Sequence, residues 1–328
     1  MTTFITGGTS SIGRVLVKEL ASSGETVRVL ARSSSNRTGL ELPGVDFVSG
    51  DVTDKDAVHR GMEDCERVCH LAAVVGQHVS ESEWWSVNRD GSRNVLQAAH
   101  DLGVKSMVQV SSISVLGSTA PGEIADETRP IDPTKHLNMY QKTKFAADQV
   151  AREYAGKGLR VMIVYPGFGY GYSWASSHPS MQETTLLRLA VNKPVAILGT
   201  GKNKLCPTYY NDTVQGIRLA FEHGKAGDDY ILCGETLTFV EIWDRIAKVL
   251  HKAPPRRRIP AGLIRFVMQA SIKLTGKSVV PSEIIEMIDM NWDFCADKAK
   301  RDIGWRPHTF LDGIAETWAA YQAGSPKG

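Results

Sequence analysis

The strongest constraint on the fold is a glycine-rich turn set between a strand-like run and an amphipathic stretch at the start of the chain. Phe4-Ile5-Thr6 leads into Thr6-Gly7-Gly8-Thr9-Ser10-Ser11-Ile12-Gly13. From Ser11 to Ser23 the apolar residues Ile12, Val15, Leu16 and Leu20 recur with a helical period. Gly24 then stops the helix. The same alternation continues. Val27–Leu30, Phe47–Gly50, Val68–Ala72, Met107–Ser111 and Val161–Tyr165 read as strands. Long helices are expected from Glu81 to His100 and from Tyr140 to Tyr154. Strands alternating with helices predict a parallel sheet covered on both faces.

This is a doubly wound α/β architecture of Rossmann type. In such sheets ligands bind beyond the carboxyl ends of the strands. The glycine turn, Arg32, Asp51, Ala72, Ser112 and Pro166 all follow strand ends, so they should converge on one crevice. After Tyr165 the texture changes to a glycine-aromatic loop, Pro166 to Trp174, then separate helices, a short strand at Val195–Leu198 and a Pro/Arg-rich linker at Pro254–Pro260. The expected division is a nucleotide-binding domain over 1–170 and a smaller substrate-binding lobe over 171–328, with about 207–234 returning to the sheet.

Composition narrows the class. The chain has 328 residues, 42% hydrophobic, with 38 basic against 36 acidic side chains. That balance suits a real core and gives no basic tract for nucleic acid. No apolar run approaches the roughly 18 residues of a membrane helix. The first residues carry no signal-peptide pattern, so the expectation is a cytoplasmic protein with no membrane partner. Cys65, Cys69, Cys206, Cys233 and Cys295 do not form a disulfide framework. Cys65 and Cys69 beside His70 make half a zinc-like set, and no second pair follows at suitable spacing, so no metal is expected.

Backbone N–H groups at a helix N-terminus form an anion site suited to a pyrophosphate. The strict G-x-G-x-x-G fingerprint is not met. Ser10 or Ser11 stands where related turns carry a glycine, and its hydroxyl can bond a phosphate oxygen. Gly7, Gly8, Ile12 and Gly13 complete the turn. The second strand ends in Arg32-Ser33, with Arg37 nearby and no acid before Glu41. A guanidinium there suits a 2′-phosphate, so NADP(H) is expected over NAD. Asp51, followed by Val52, either accepts from an adenine amino group or caps the helix that starts near Asp54.

The reacting groups follow. Tyr140 and Lys144 are four residues apart on a helix and share a face. A free phenol titrates near pH 10, and an ammonium beside it favours the phenolate. The same ammonium can hold ribose hydroxyls. Ser112, at the end of the fifth strand, can bond a substrate oxygen.

As a set these residues resemble the extended short-chain dehydrogenase/reductase superfamily, in particular its dihydroflavonol-reductase-like and sugar-epimerase-like branch. The likeness covers nearly the whole chain. It rests on Thr6-Gly7-Gly8 with Ile12-Gly13, Gly50 to Asp54, His70 to Ala73, Asn88 with Gly91, Ser111-Ser112 with Gly117, Tyr140 with Lys144, Pro166-Gly167, Gly199 to Gly201, Asn211-Asp212 and Ile303 to Pro307. The resemblance implies a catalytic Ser112, Tyr140 and Lys144. It implies cofactor contacts from Leu71, Ala72, Ala73, Pro166, Gly167 and Phe168, and a homodimer packed through the two long helices.

Two departures matter. The Thr-Asp-Glu of dehydratases is not present where the serine pair stands. Where nucleotide-sugar epimerases place an arginine, this chain has Leu205, with Lys202 and Lys204 close by. The aromatic residues from Tyr165 to Trp174, with Trp84 and Trp85, either line a pocket for a flat carbonyl compound or pack the lobe interface. Asp126-Glu127 is expected to brace a loop, Arg256-Arg257-Arg258 to be solvated, and His78 to be a solvated loop histidine. The leading expectation is an NADP(H)-dependent oxidoreductase acting on a small-molecule carbonyl or alcohol. The alternatives are a nucleotide-sugar epimerase with retained cofactor and a non-catalytic NADP(H) sensor.

Overall fold

A computed structural model describes residues 1–76, 79–172, 180–276, 288 and 290–324. Strands β1 (Thr2–Thr6), β2 (Thr26–Ala31), β3 (Val45–Ser49), β4 (Arg67–His70), β5 (Ser106–Val110) and β6 (Val161–Pro166) share one sheet. The strand Asp229–Leu232 pairs with β6 as the seventh. The order across the sheet is Asp229–Leu232, β6, β5, β4, β1, β2, β3. Every neighbouring pair is parallel. The strand order reverses direction between β1 and β4, and a crevice opens there beyond the carboxyl ends.

The period-two rule sorts the side chains into two cores. Phe4, Met107, Val161 and Ile163 pack on one face. Ile5, Val108, Met162 and Val164 pack on the other. Cys65 and Cys69 fall in opposite cores, so they cannot converge on one ion. Helix α1 (Ser11–Ser22) buries Leu16, Val17 and Leu20 against the second core. Helix α2 (Lys55–Met62) is capped by Asp54, which accepts from the N–H groups of Asp56 and Ala57.

The single helix expected from Glu81 to His100 is three joined pieces. Helix α3 (Glu81–Trp84) passes into a π-helical turn, Trp85–Asp90, and then α4 (Gly91–Asp101). Helix α5 (Met139–Gly156) packs beside α4. The fourth strand stops at His70, two residues short of the expected Ala72.

Beyond β6, the strand Phe168–Tyr170 pairs in parallel with Pro207–Tyr209. The helix Tyr210–His223 packs on α1. The short strand expected at Val195–Leu198 is Ile197–Leu198, and its partner is Arg258–Ile259. Residues expected to be linker therefore contribute a strand, because Ile197 and Gly199 bond the carbonyls of Arg257 and Ile259. Arg256 pairs with Asp244 at 3.3 Å on the surface. Among the described residues no helix is long and apolar enough to cross a membrane.

Candidate active site

Gly7 has φ +74°, and a Cβ built on it would lie 2.6 Å from the Ala72 nitrogen. The turn after β1 thus touches the chain leaving β4, and only glycine allows it. Gly8 sits against Val29, where a Cβ would come within 2.8 Å of Cγ1, and Gly13 presses on the Gly7 carbonyl. These two glycines bring the helix onto the turn. Ser10 caps α1, its Oγ accepting from the Gly13 N–H at 3.1 Å. That leaves its proton for a donor role.

Gly7, Ser10, Arg32, Asp51, Val52, Leu71, Ala72 and Ala73 line one groove, joined by Thr9, Ser35 and Val74. Gly8, Ser11, Ile12, Gly13, Ser33 and Arg37 are not among its lining residues. The Arg37 guanidinium instead lies 4.8 Å from the centre of the Phe47 ring. Arg32 is largely exposed and stands 3.9 Å from Asp51. Asp51 does not cap α2, a place taken by Asp54; its Oδ1 accepts from the Thr53 N–H and hydroxyl in the turn before the helix.

The sequence did not mark Arg14, which is 1% exposed. Its guanidinium donates to the carbonyls of Thr9 at 3.0 Å, Thr38 at 2.8 Å and Asn36. It fastens the loop after β2 to the glycine turn. A second network, whose bonds the sequence did not assign, lies at β4. His70 Nδ1 meets Thr6 Oγ1 at 2.6 Å and Nε2 meets Ser92 Oγ at 2.9 Å. Burial, then the Lys144 ammonium, pushes His70 down to about 3, so the ring is neutral. Asn88, in the π-turn, accepts from the Val74 N–H at 2.8 Å and donates to Thr143 Oγ1 at 3.0 Å. It fixes the groove wall to α5.

Ser112 follows β5 in extended conformation and caps the 3₁₀ turn Ile113–Leu116. Its oxygen accepts from Ser114 N–H at 3.2 Å and Ser114 Oγ–H at 3.0 Å. With both acceptor positions engaged, its own proton goes to the Tyr140 phenol. Ser114 is a further residue that sequence reading passed over. The Tyr140 ring meets Trp84 edge-on, with centroids 6.2 Å apart.

Lys144 is 2% exposed, and its Nζ donates to the Val110 carbonyl at 2.7 Å. The expectation that Lys144 lowers the Tyr140 pKa is not met in the protein alone. Burial pushes the Tyr140 phenol up to about 12, outweighing the Ser112 hydrogen bond. The ammonium is turned toward the strand end. Pro166 ends β6 and Gly167 and Phe168 follow it; none of the three is among the groove's lining residues. Gly167 N–H bonds the Leu232 carbonyl at 3.1 Å and Phe168 N–H that of Cys206 at 3.0 Å.

A family model described as the NAD dependent epimerase/dehydratase family matches residues 3–233. The chain belongs to that family. A protein named putative dihydroflavonol 4-reductase, from Synechocystis sp., is 29% identical over 322 residues, covering 95% of this chain and 92% of the relative. Sterol demethylase protein B of Methylococcus capsulatus is 30% identical over 268 residues, 81% of this chain and 80% of the relative. The crystal structure of gox2253 superposes with a TM-score of 0.84 at 26% identity, covering 98% of both chains.

In this epimerase/dehydratase-family chain a second pocket opens beside Gln141. It is lined by Leu116, Gly117, Ser118, Arg129, Pro130, Leu137, Met290 and Trp292, among others. Of the aromatic loop, Phe168 reaches this side, edge-on to Trp292 at 5.6 Å. Tyr170 packs inward on Tyr209 and Phe310, and Tyr172 meets Tyr321. Trp85 lies under the Arg89 guanidinium. Trp174 and His78 lie outside the described residues. Leu205 is fully buried, and Lys204 is bound to the buried Asp293 at 2.6 Å. Asp126 bonds Thr128, and Glu127 Oε1 accepts the Ile231 N–H at 2.7 Å on the outer strand. Burial pushes that Glu127 carboxyl up.

Proposed function

We propose that this chain is an NADP(H)-dependent oxidoreductase that interconverts a ketone and a secondary alcohol on a flat, largely apolar skeleton. The observation that carries the reading is the Ser112 hydroxyl bonded to the Tyr140 phenol, with Lys144 one helical turn on, all at the carboxyl edge of β5. Residues 1–170 with about 207–234 form the cofactor-binding part, and the remainder forms a lobe that selects the substrate.

The groove fits a dinucleotide: the close approach at Gly7 leaves backbone exposed for phosphate, and the N-terminus of α1 faces it. Gly7 and Ser10, which line the groove, would hold the diphosphate. Asp51 and Val52 would meet the adenosine. Leu71, Ala72, Ala73 and Pro166–Phe168 would flank the nicotinamide half. When bound, the cofactor supplies or accepts the hydride. Arg32 is exposed with Asp51 as its near partner at 3.9 Å, so a 2′-phosphate can draw its guanidinium away.

Tyr140 gives its proton to the substrate oxygen during reduction and takes it back during oxidation. Ser112, with its lone pairs held by Ser114, directs its proton to that oxygen once substrate displaces the Tyr140 contact. Lys144 holds ribose hydroxyls and, drawn toward them, brings its charge nearer the phenol. The phenol raised by burial is the form suited to giving a proton in reduction.

The apolar part of the second pocket, Leu116, Leu137, Met290 and Trp292, supports a flat skeleton beside the charged Arg129, Asp132 and Lys135, and so do the dihydroflavonol and sterol in the relatives' names. Lys204 is committed to Asp293, which takes one of the two lysines near the arginine position of nucleotide-sugar epimerases and leaves the exposed Lys202. The test is a panel of steroid ketones, a dihydroflavonol and UDP-glucose with NADPH and NADH. Tyr140→Phe should bind cofactor normally and lose most turnover. Undiminished turnover would end the reading.

A further inference from the structure

Asp148 lies one helical turn beyond Lys144 on α5, is 0% exposed and has no role in the chemistry above. Ser111, the neighbour of Ser112, turns away from Tyr140 and donates to Asp148 Oδ2 at 2.6 Å. The other oxygen, Oδ1, is enclosed with no close hydrogen-bond partner, and the Tyr165 hydroxyl lies within reach of the carboxyl. A buried carboxyl this poorly solvated persists where a cation compensates it.

Two cations face it. Arg152, the next turn along α5, is taken by Asp229 in a two-pronged pair at 3.1 and 2.5 Å, and also donates to the Tyr165 hydroxyl at 3.2 Å. Lys144 is the other, and its hydrogen bond to the Val110 carbonyl satisfies a donor without balancing a charge. The charged and titratable groups around Asp148 are therefore Lys144 and Arg152 on its own helix, Tyr165 on β6, Asp229 on the outer strand and, more distantly, Tyr140.

We propose that Asp148, held by Ser111, is a positioning residue that supplies the counter-charge keeping Lys144 an ammonium at neutral and alkaline pH. The proposal rests on the role given to Lys144 above. Burial pushes the Asp148 carboxyl up to about 7, with Lys144 and then Ser111 pulling it back. Burial pulls Lys144 down, with Asp148 opposing. As pH rises through neutrality Asp148 ionises, and Lys144 gains its partner in the range where it would otherwise lose its proton.

The test is Asp148→Asn, which keeps an oxygen for Ser111 and removes the charge. The first readout is the pH midpoint of the Lys144 side-chain resonance in nitrogen NMR of isotope-labelled lysine, assigned with Lys144→Arg. An uncompensated buried lysine titrates near about pH 5–6. The midpoint should fall by at least about one unit in Asp148→Asn, and Asp148→Glu should restore it. The second readout is the pH profile of NADPH-linked turnover. Wild type and Asp148→Asn should converge in acid and separate above neutrality, with the loss deepening by up to about tenfold per pH unit as Lys144 gives up its proton.

Should Asp148→Asn not fold, Ser111→Ala keeps the carboxyl, removes a hydrogen bond that favours its ionised form, and should lower the Lys144 midpoint by a smaller step. An unchanged Lys144 midpoint in both variants, or a turnover loss equal at every pH, overturns the proposal. Full turnover in Tyr140→Phe would instead overturn the functional reading and leave the Lys144 midpoint to judge Asp148.

Discussion

Gly7→Ala separates two costs that glycines usually combine. Gly7 and Gly24 have nearly the same backbone, φ +74° and +79°. A Cβ at Gly24 meets nothing within 4 Å, whereas one at Gly7 lies 2.6 Å from Ala72 N, 2.8 Å from Leu71 C and 2.9 Å from Ala72 Cα. Alanine at Gly24 therefore costs only left-handed strain, about 1 kcal/mol. Alanine at Gly7 costs the same strain plus about 1–3 kcal/mol of overpacking against main chain that has no rotamer to change. Unfolding entropy for a chain of 328 residues is about 0.7 kcal/mol per kelvin, so Gly24→Ala should lower Tm by about 1–2 °C and Gly7→Ala by about 3–6 °C. Leu71 and Ala72 line the groove, so the displacement should also weaken NADPH binding about tenfold in Gly7→Ala, and not at all in Gly24→Ala. Calorimetry and nicotinamide fluorescence titration give the two numbers. Equal Tm losses with equal cofactor affinities would refute the argument from close approach.

Arg32→Ala should weaken NADPH by about 10–100-fold while leaving NADH nearly unchanged, read by the same titration. Ser114→Ala frees an acceptor position on Ser112 and should lower kcat by about 5–10-fold with the cofactor KM unchanged. Lys204→Ala strands the carboxylate of Asp293 and should cost about 1–3 kcal/mol in urea denaturation. His70, held down to about 3, should show no imidazole titration between pH 7 and pH 4 in NMR. The unfolded ring takes a proton below about pH 6.5 and the folded one does not, so stability should fall as pH drops through that window, by up to about 1.4 kcal/mol per unit. A midpoint near 6.5 in the folded protein would contradict the neutral network.

The alternation of periods two and 3.6 made the sheet legible, because each face of each strand must find its own core. The four-residue step from Tyr140 to Lys144 was legible for a similar reason: helical geometry alone puts them on one face. What stayed hidden depends on contacts far apart in the chain. Arg14 reads as a surface arginine, and only the fold brings the carbonyls of Asn36 and Thr38 over it. Thr6, His70 and Ser92 meet because β1 and β4 are neighbours. The raised phenol of Tyr140 was missed because pair spacing reports the nearby charge and not the solvent removed around the hydroxyl. Arg258–Ile259 escaped because two residues carry no period at all.

The carboxylate of Glu127 sits where the sheet would otherwise go on growing. Ile231 belongs to the outermost strand, and its amide is stoppered by a side chain that offers one acceptor and no continuing backbone. Another polypeptide approaching that margin finds a charge to displace before it can zip on. The brace thus occupies the one edge amide it reaches, and its grip should slacken in acid, where the raised carboxyl takes up a proton before ordinary surface glutamates do.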